Sequence, residues 1–255
     1  MNLVTLTECP VCREEVFVDR YPFEYDDDHW KIKSQYVECQ ECKHGFINPR
    51  PSDGDYEREY TTGEYRTYHV GEQGDPRLEE WLSDHNRAMR ACGVIDAAKQ
   101  QSFITTTRTL DFGGGLGILA YLVKTNYQQY VSVVEPYERW SRFAIPYVDE
   151  VVTKLEDVKS KSFDLIAVCH VLEHTLYPVE TLKSLYPYLI TGGAIYIEVP
   201  VFGPAIYHPQ VFTPGSLQRA IEFSGYRLLA NGLLTFPGEK QPDSHWALVS
   251  KAPEE

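Results

Sequence analysis

A chain of 255 residues, 43% hydrophobic and 24% charged, carries enough apolar material to bury a core and is not a disordered polymer. No apolar run approaches the roughly 18–20 residues that span a bilayer, and the start MNLVTLTECP lacks the basic and apolar stretches of a secretory signal, so a cytoplasmic protein with no membrane partner is expected. With 24 basic against 37 acidic residues the formal charge is −13, which argues against nucleic acid as a partner, since such binding draws on Lys and Arg neutralising phosphates.

Residues 1–50 hold four of the six cysteines, in two C-x-x-C turns, Cys9-Pro-Val-Cys12 and Cys39-Gln-Glu-Cys42. Each turn presents two thiolates to one ion, and two such turns make a tetrahedral zinc site with no open position, hence a structural one. Redox-active dithiols are the alternative. Short β-like stretches, VFVDRY and SQYVEC, flank the polar YDDDH at 25–29, expected to be a solvated turn between two hairpins.

Residues 51–104 read as a connector. Its first part, 51–75, is polar and rich in Tyr, Gly and Asp, consistent with a mobile segment. Tyr56, Tyr60, Tyr65 and Tyr68, with His69, form either an aromatic lid over a ligand or a packing strip. From 76 to 101 the spacing predicts a helix. Leu78, Trp81, Leu82, His85, Ala88, Met89, Cys92 and Ile95 would face inward, with Glu79, Glu80, Arg87 and Arg90 outside.

From 105 to 255 strands and helices alternate, which predicts an α/β domain with a parallel sheet covered on both faces. Strands are expected at TRTLDF, QYVSVVE, VDEVVTK, FDLIAVCH and GAIYIEVP. YRLLANGLLTF and HWALVSK, with no helix between them, would close the sheet as an antiparallel hairpin. The first of these strands ends at Asp111 and runs into Gly113-Gly114-Gly115-Leu116-Gly117, a loop whose glycines allow a sharp turn and close approach to a ligand. A dinucleotide fingerprint begun at Gly113 would need a third glycine where Ile118 stands. Asp111 suits an amino group better than a pyrophosphate. The second strand closes on Glu135 and Pro136, where an acid can accept both hydroxyls of a ribose. Glu156 and Asp157 follow the third strand, where an adenine amino group would lie.

DFGGGLG, VVEPYERW and SFDLIAVCHVLEH, in that order and spacing, resemble the class I S-adenosylmethionine-dependent methyltransferases, in particular the group with an H-V-L-E-H segment after the fourth strand. The resemblance implies a Rossmann-like seven-stranded sheet and a cofactor shell of Asp111, Gly113, Gly115, Glu135, Glu156 and His170, with Gly114 and Pro136 beside them. His170-Val-Leu-Glu-His174 also matches the H-x-x-E-H zinc-protease pattern, but that chemistry needs both histidines on a helix, and here a β-like run precedes the motif. The cysteine segment, continuing into Asn48-Pro-Arg-Pro51, resembles the N-terminal zinc ribbon of methyltransferases acting on sugars and other natural products.

After the fifth strand, Tyr207 and His208 are the best acid/base candidates, with His174 a third. The segment H-x-x-x-F-T resembles the loop of sugar methyltransferases. In the C-methylating kind a Glu precedes the histidine; here Tyr207 does, which favours O-methylation. The reading is transfer of a methyl group from S-adenosylmethionine to a small hydroxylated acceptor, a sugar, nucleotide sugar or related metabolite. The alternatives are a nucleic-acid or protein methyltransferase that uses the ribbon for recognition, and a non-catalytic cofactor-binding partner protein.

Overall fold

In a computed structural model, the structure describes residues 2–26, 31–62, 78–101, 104, 107–201, 203–205, 207–235 and 239–253, the side chains of 78–80 excepted. The N-terminal part contains β1 (Leu3–Val4), β2 (Phe17–Asp26), β3 (Lys31–Cys39), β4 (Gly45–Asn48) and β5 (Arg50–Pro51), followed by α1 (Asp53–Thr62) and α2 (Leu78–Gln100). Then come β6 (Arg108–Phe112), α3 (Ile118–Tyr127), β7 (Tyr130–Val134), α4 (Glu138–Ala144), β8 (Glu150–Val152), β9 (Phe163–Cys169) and α5 (Pro178–Leu185). The chain ends with β10 (Leu189–Pro200), β11 (Gln210–Val211), α6 (Pro214–Phe223), β12 (Tyr226–Leu234) and β13 (Ser244–Lys251).

Seven strands form one sheet in the order β12-β13-β10-β9-β6-β7-β8. β6 to β10 run parallel, while β13 is antiparallel to both β10 and β12, so the expected closing hairpin is present. The central strands are continuously apolar because both faces are covered. Alternation along β9 divides the core. Leu165 and Ala167 face α2 and α3, with Ala91, Ile95 and Val123. Ile166 and Val168 face the other side, with Leu182 of α5 and Leu217 of α6. From β6 the chain moves outward through β7 and β8 and then returns to β9 on the other side of β6. That reversal opens a crevice at the carboxyl ends of β6 and β9, where α/β sheets bind ligands.

The N-terminal strands pair as a second sheet, β11-β4-β3-β2. It sits on the α5/α6 face, where Val11, Val37 and Phe46 join one core with Phe212 and Leu172. Three expectations are corrected. Tyr25 and Asp26, expected in a turn, belong to β2 and pair with Ile32 and Lys31 of β3; the rest of YDDDH, 27–29, lies outside the described residues. The segment after residue 51 begins as a helix, α1, because Ser52 and Asp55 cap it: Ser52 Oγ donates to Asp55 Oδ2 at 2.7 Å and accepts from the Asp55 amide at 3.3 Å. On α2 the buried stripe is Ala88, Ala91, Cys92 and Ile95, whereas Leu82 and Met89 are exposed. Arg90 turns inward onto Asp243 and Glu198. Among the described residues no helix is long and apolar enough to cross a membrane.

Candidate functional site

The crevice is built on the glycine loop between β6 and α3. Gly113 has φ +75° and donates its amide to the Val134 carbonyl at 2.8 Å. A Cβ there would lie 2.5 Å from Val171 Cγ2, so both the backbone conformation and the close approach of the β9 loop require glycine. Gly117, φ +75°, lies against Ala144 in the same way, with 2.4 Å to an added Cβ. Gly114 packs inward on Val133 and Asp111.

Glu135, at the end of β7, anchors the loop from the side. Its Oε2 accepts from the Gly115 amide at 2.8 Å and its Oε1 from the Tyr137 amide at 3.0 Å. Asp111 is buried under Gly114, and its Oδ2 has no hydrogen-bond partner among the described residues. Burial, then the nearby charges of Glu135 and Asp84, push its carboxyl up to about 7. Asp84, on α2, approaches the loop from above: its Oδ2 would lie 3.6 Å from a Cβ at Gly115. Asp84, Asp111 and Glu135 thus set a negative field around the loop, which suits a cationic ligand. Sequence reasoning missed Asp84, which carries no motif and reaches the loop from a separate helix.

A cavity of about 630 Å³ opens over Gly113, Glu135 and Pro136, walled opposite by Tyr56, Tyr60 and His174. It adjoins one of about 860 Å³ that shares Phe112, Val134 and Pro136 and reaches Leu155 and Glu156. Glu156 stands exposed at the rim, in a single 3-10 turn, Leu155–Asp157. Each of these spaces has the dimensions of a small-ligand site.

The H-V-L-E-H segment forms a bend and one 3-10 turn, Leu172–His174, so the helical geometry of a zinc protease is not present. His170, at φ +53°, ends β9 with its imidazole between two carboxylates. Nδ1 lies 3.3 Å from Glu173 Oε1 and Nε2 3.2 Å from Glu198 Oε1. Burial alone would favour its neutral form, but these two acids raise its pKa above the ordinary value. Glu173 is buried too, which favours the neutral acid; the neighbouring His170, His174 and His208 nonetheless hold it at about 2. The chain of contacts continues inward from Glu198 to Tyr196, which donates at 2.6 Å, and to Arg90, which also forks onto Asp243.

His174 lines the cavity and meets His208 edge-to-face, ring centroids 4.5 Å apart. Its Nδ1 lies 2.6 Å from the Tyr207 carbonyl and 2.9 Å from the Tyr60 hydroxyl. The ring of Tyr207 packs with Phe23, Tyr25 and Ile32 of the N-terminal hairpin, so it is the backbone of Tyr207 that positions His174. Of the lid candidates, Tyr56 and Tyr60 stand on α1, stacked at 6.3 Å; Tyr65, Tyr68 and His69 lie outside the described residues.

The four N-terminal cysteines converge. Their sulfurs all lie within 4.8 Å of one another, with Cys9 and Cys42 at 3.6 Å and Cys12 and Cys39 at 3.4 Å. Tetrahedral ligation at about 2.3 Å requires sulfur separations of about 3.8 Å. The two turns share one local geometry. Arg13 and Lys43, at φ +66° and +59°, each donate an amide to the first cysteine's carbonyl at 3.0 Å. The four sulfurs could therefore hold one metal ion.

The family model described as a methyltransferase domain matches residues 83–231. No curated protein matches the chain significantly. Among solved structures, a SAM-dependent methyltransferase from Leishmania major is similar at a TM-score of 0.59 and 17% identity, covering 76% of this chain and 82% of that one. The magnesium protoporphyrin IX methyltransferase of Synechocystis PCC 6803 with bound SAM gives 0.57 and 13%, covering 80% and 100%. A SAM-dependent methyltransferase from Clostridium acetobutylicum gives 0.53 and 10%, covering 64% and 91%. At these identities the likeness is one of fold.

Proposed function

The chain belongs to the methyltransferase domain family, and from that premise we propose that it methylates a hydroxyl of a small acceptor, a sugar or related metabolite, and holds a structural zinc at its four cysteines. It is an S-adenosylmethionine-dependent methyltransferase. The glycine loop and the acids around it fit that cofactor. Gly113 leaves room for close approach, Glu135 accepts the ribose hydroxyls, and Asp84 and Asp111 favour the ammonium end. Pro136 and Glu156 border the space for the base. When bound, S-adenosylmethionine supplies a methyl group activated on a sulfonium.

The observation that carries the acceptor reading is the position of His174. Its imidazole lies on the wall of the cavity that Gly113 and Glu135 also line, with His208 against it. Methyl transfer is largely a matter of aligning two reactants, and a hydroxyl acceptor gains from a nearby base by roughly 10²–10⁴-fold. His208 and His174 are assigned to loss of the acceptor's proton, Tyr207 and Tyr60 to holding His174, and Tyr56 and Tyr60 to the aromatic wall. Three arginines of the N-terminal unit are already engaged or buried. Arg13 pairs with Glu8 and Glu180, Arg20 with Glu38, and Arg50 is buried. A small acceptor fits better than a nucleic acid.

The test is incubation of the full chain and a cell extract with S-adenosylmethionine labelled in its methyl group. Label is expected in the small-molecule fraction. Label confined to protein or nucleic acid would overturn the acceptor class.

A further inference from the structure

We infer that Glu173, His174 and His208 form a second metal site, for one divalent transition-metal ion, at the wall of the cofactor cavity. Each of the three offers a ligand atom, and these atoms all lie within 4.8 Å of one another. Two imidazoles and a carboxylate are a donor set that suits zinc, iron or manganese and leaves positions open.

Glu173 is the first argument. It is 1% exposed, and neither Oε1 nor Oε2 makes a hydrogen bond among the described residues. Oε1 has two imidazoles at ion-pair distance, His170 Nδ1 at 3.3 Å and His174 Nε2 at 3.9 Å, while Oε2 makes no hydrogen bond among the described residues. A buried carboxylate without hydrogen bonds is costly unless a cation meets it. His170 is already held on its far side by Glu198.

The second argument is independent and concerns the tautomer of His174. A carbonyl oxygen only accepts, so the 2.6 Å contact with Tyr207 puts a proton on Nδ1. The remaining nitrogen, Nε2, is the one directed at Glu173. An imidazole whose Nδ1–H is tied to a backbone carbonyl, with Nε2 turned toward a carboxylate, is oriented as metal-ligating histidines are. His208 reaches the cluster from a different element, the loop before β11, which places the site where the cavity wall meets the ribbon. Because His174 lines the cavity, an oxygen of a small ligand there has access to the ion.

This inference rests on the small-hydroxyl reading only for its role. There an ion would make an acceptor hydroxyl easier to deprotonate, and the part assigned above to His174 and His208 would be played through the metal they hold. The binding claim stands by itself and is tested by Mn²⁺, which thiolates select poorly, so that the four cysteines do not compete for it. Titration of the full chain with Mn²⁺, followed by electron paramagnetic resonance of the free ion, should show one bound Mn²⁺ per chain. Glu173→Gln and His208→Ala should each weaken binding about tenfold or more, the scale of lost ligand-shell support. His208→Ala, on a loop, serves as the variant that keeps the fold if Glu173→Gln does not, with circular dichroism as the check. No Mn²⁺ binding, or equal affinity in wild type and a folded His208→Ala, overturns the site. Mn²⁺ binding with no methyl transfer to small molecules would leave the site standing and remove the acceptor reading instead.

Discussion

Asp111 shows how the fold changes the ionisation of a single carboxyl beside the glycine loop. In the unfolded chain its carboxyl ionises near 3.9. In the fold, burial moves that to about 7. Between those values the native state holds the extra proton, so stability contributed at low pH is lost as pH rises through the window. By pH 8 the loss is on the order of 4 kcal/mol at about 1.4 kcal/mol per unit. Asp111→Asn should therefore raise the melting temperature at pH 8 and leave it nearly unchanged at pH 4. It should also weaken S-adenosylmethionine about tenfold or more in calorimetry, as befits a lost buried charge partner. Equal melting shifts at both pH values would defeat the argument. Asp111, the glycines and Glu135 were legible in the sequence because strand, loop and helix are contiguous and each residue's role is local. Asp84 and Arg90 were not. Both lie on one amphipathic helix, and their partners, the glycine loop for one and Asp243 for the other, are far along the chain. Periodicity assigns a charged residue to solvent and cannot see a carboxylate arriving from β13's entry.

At the scale of elements, β11 links the two halves. Only two residues long, it pairs antiparallel with β4, Gln210 opposite Phe46 and Val211 opposite Gly45, so a piece of the catalytic domain completes the ribbon's sheet. The side chain of Gln210 ties the joint on both sides. Its Oε1 lies 2.8 Å from His44 Nε2 and its Nε2 donates to the Leu176 carbonyl at 3.2 Å. Gln210→Ala leaves a buried His44 unpartnered at that nitrogen and should cost about 1–3 kcal/mol. Since β11 begins two residues after His208, acceptor KM should rise while the affinity for S-adenosylmethionine stays as it was. A variant that weakened both alike would show that the joint supports the whole fold and not the acceptor side. Two residues pairing across more than 160 positions leave no periodic trace, which explains why this strand escaped the sequence reading. α1 is a different case. Ser52-Asp-Gly-Asp55 is a capping pattern visible in the sequence, masked by the polar composition that followed it.

Across the whole molecule, the four-cysteine N-terminal unit and the seven-stranded sheet share one core. Cys9, Cys39 and Cys42 are buried in the same cluster as Val37, Phe46, Phe212 and Leu172, which continues to Val168 and Ile197 of the central strands. Further ties run across it: Arg50 donates to the Leu176 carbonyl at 2.9 Å, and Tyr60 reaches both His174 and the Tyr207 carbonyl at 2.9 Å. A small four-cysteine unit depends on its metal for much of its folding free energy, and here that dependence should propagate. Stripping the proposed zinc with a strong chelator should lower the melting temperature of the entire chain in one cooperative transition, with amides of β9 and β10 exchanging faster as well as those of β2 and β3. If the N-terminal strands instead lost protection alone, and the central strands kept theirs, the two halves would be separable units and the shared core would contribute little coupling. The cooperative outcome also fixes the course of activity. In partly stripped protein S-adenosylmethionine binding and acceptor turnover should fall together, in proportion to the folded fraction, because an all-or-none transition leaves no species that keeps the glycine loop and loses the wall of Tyr207, His208 and β11.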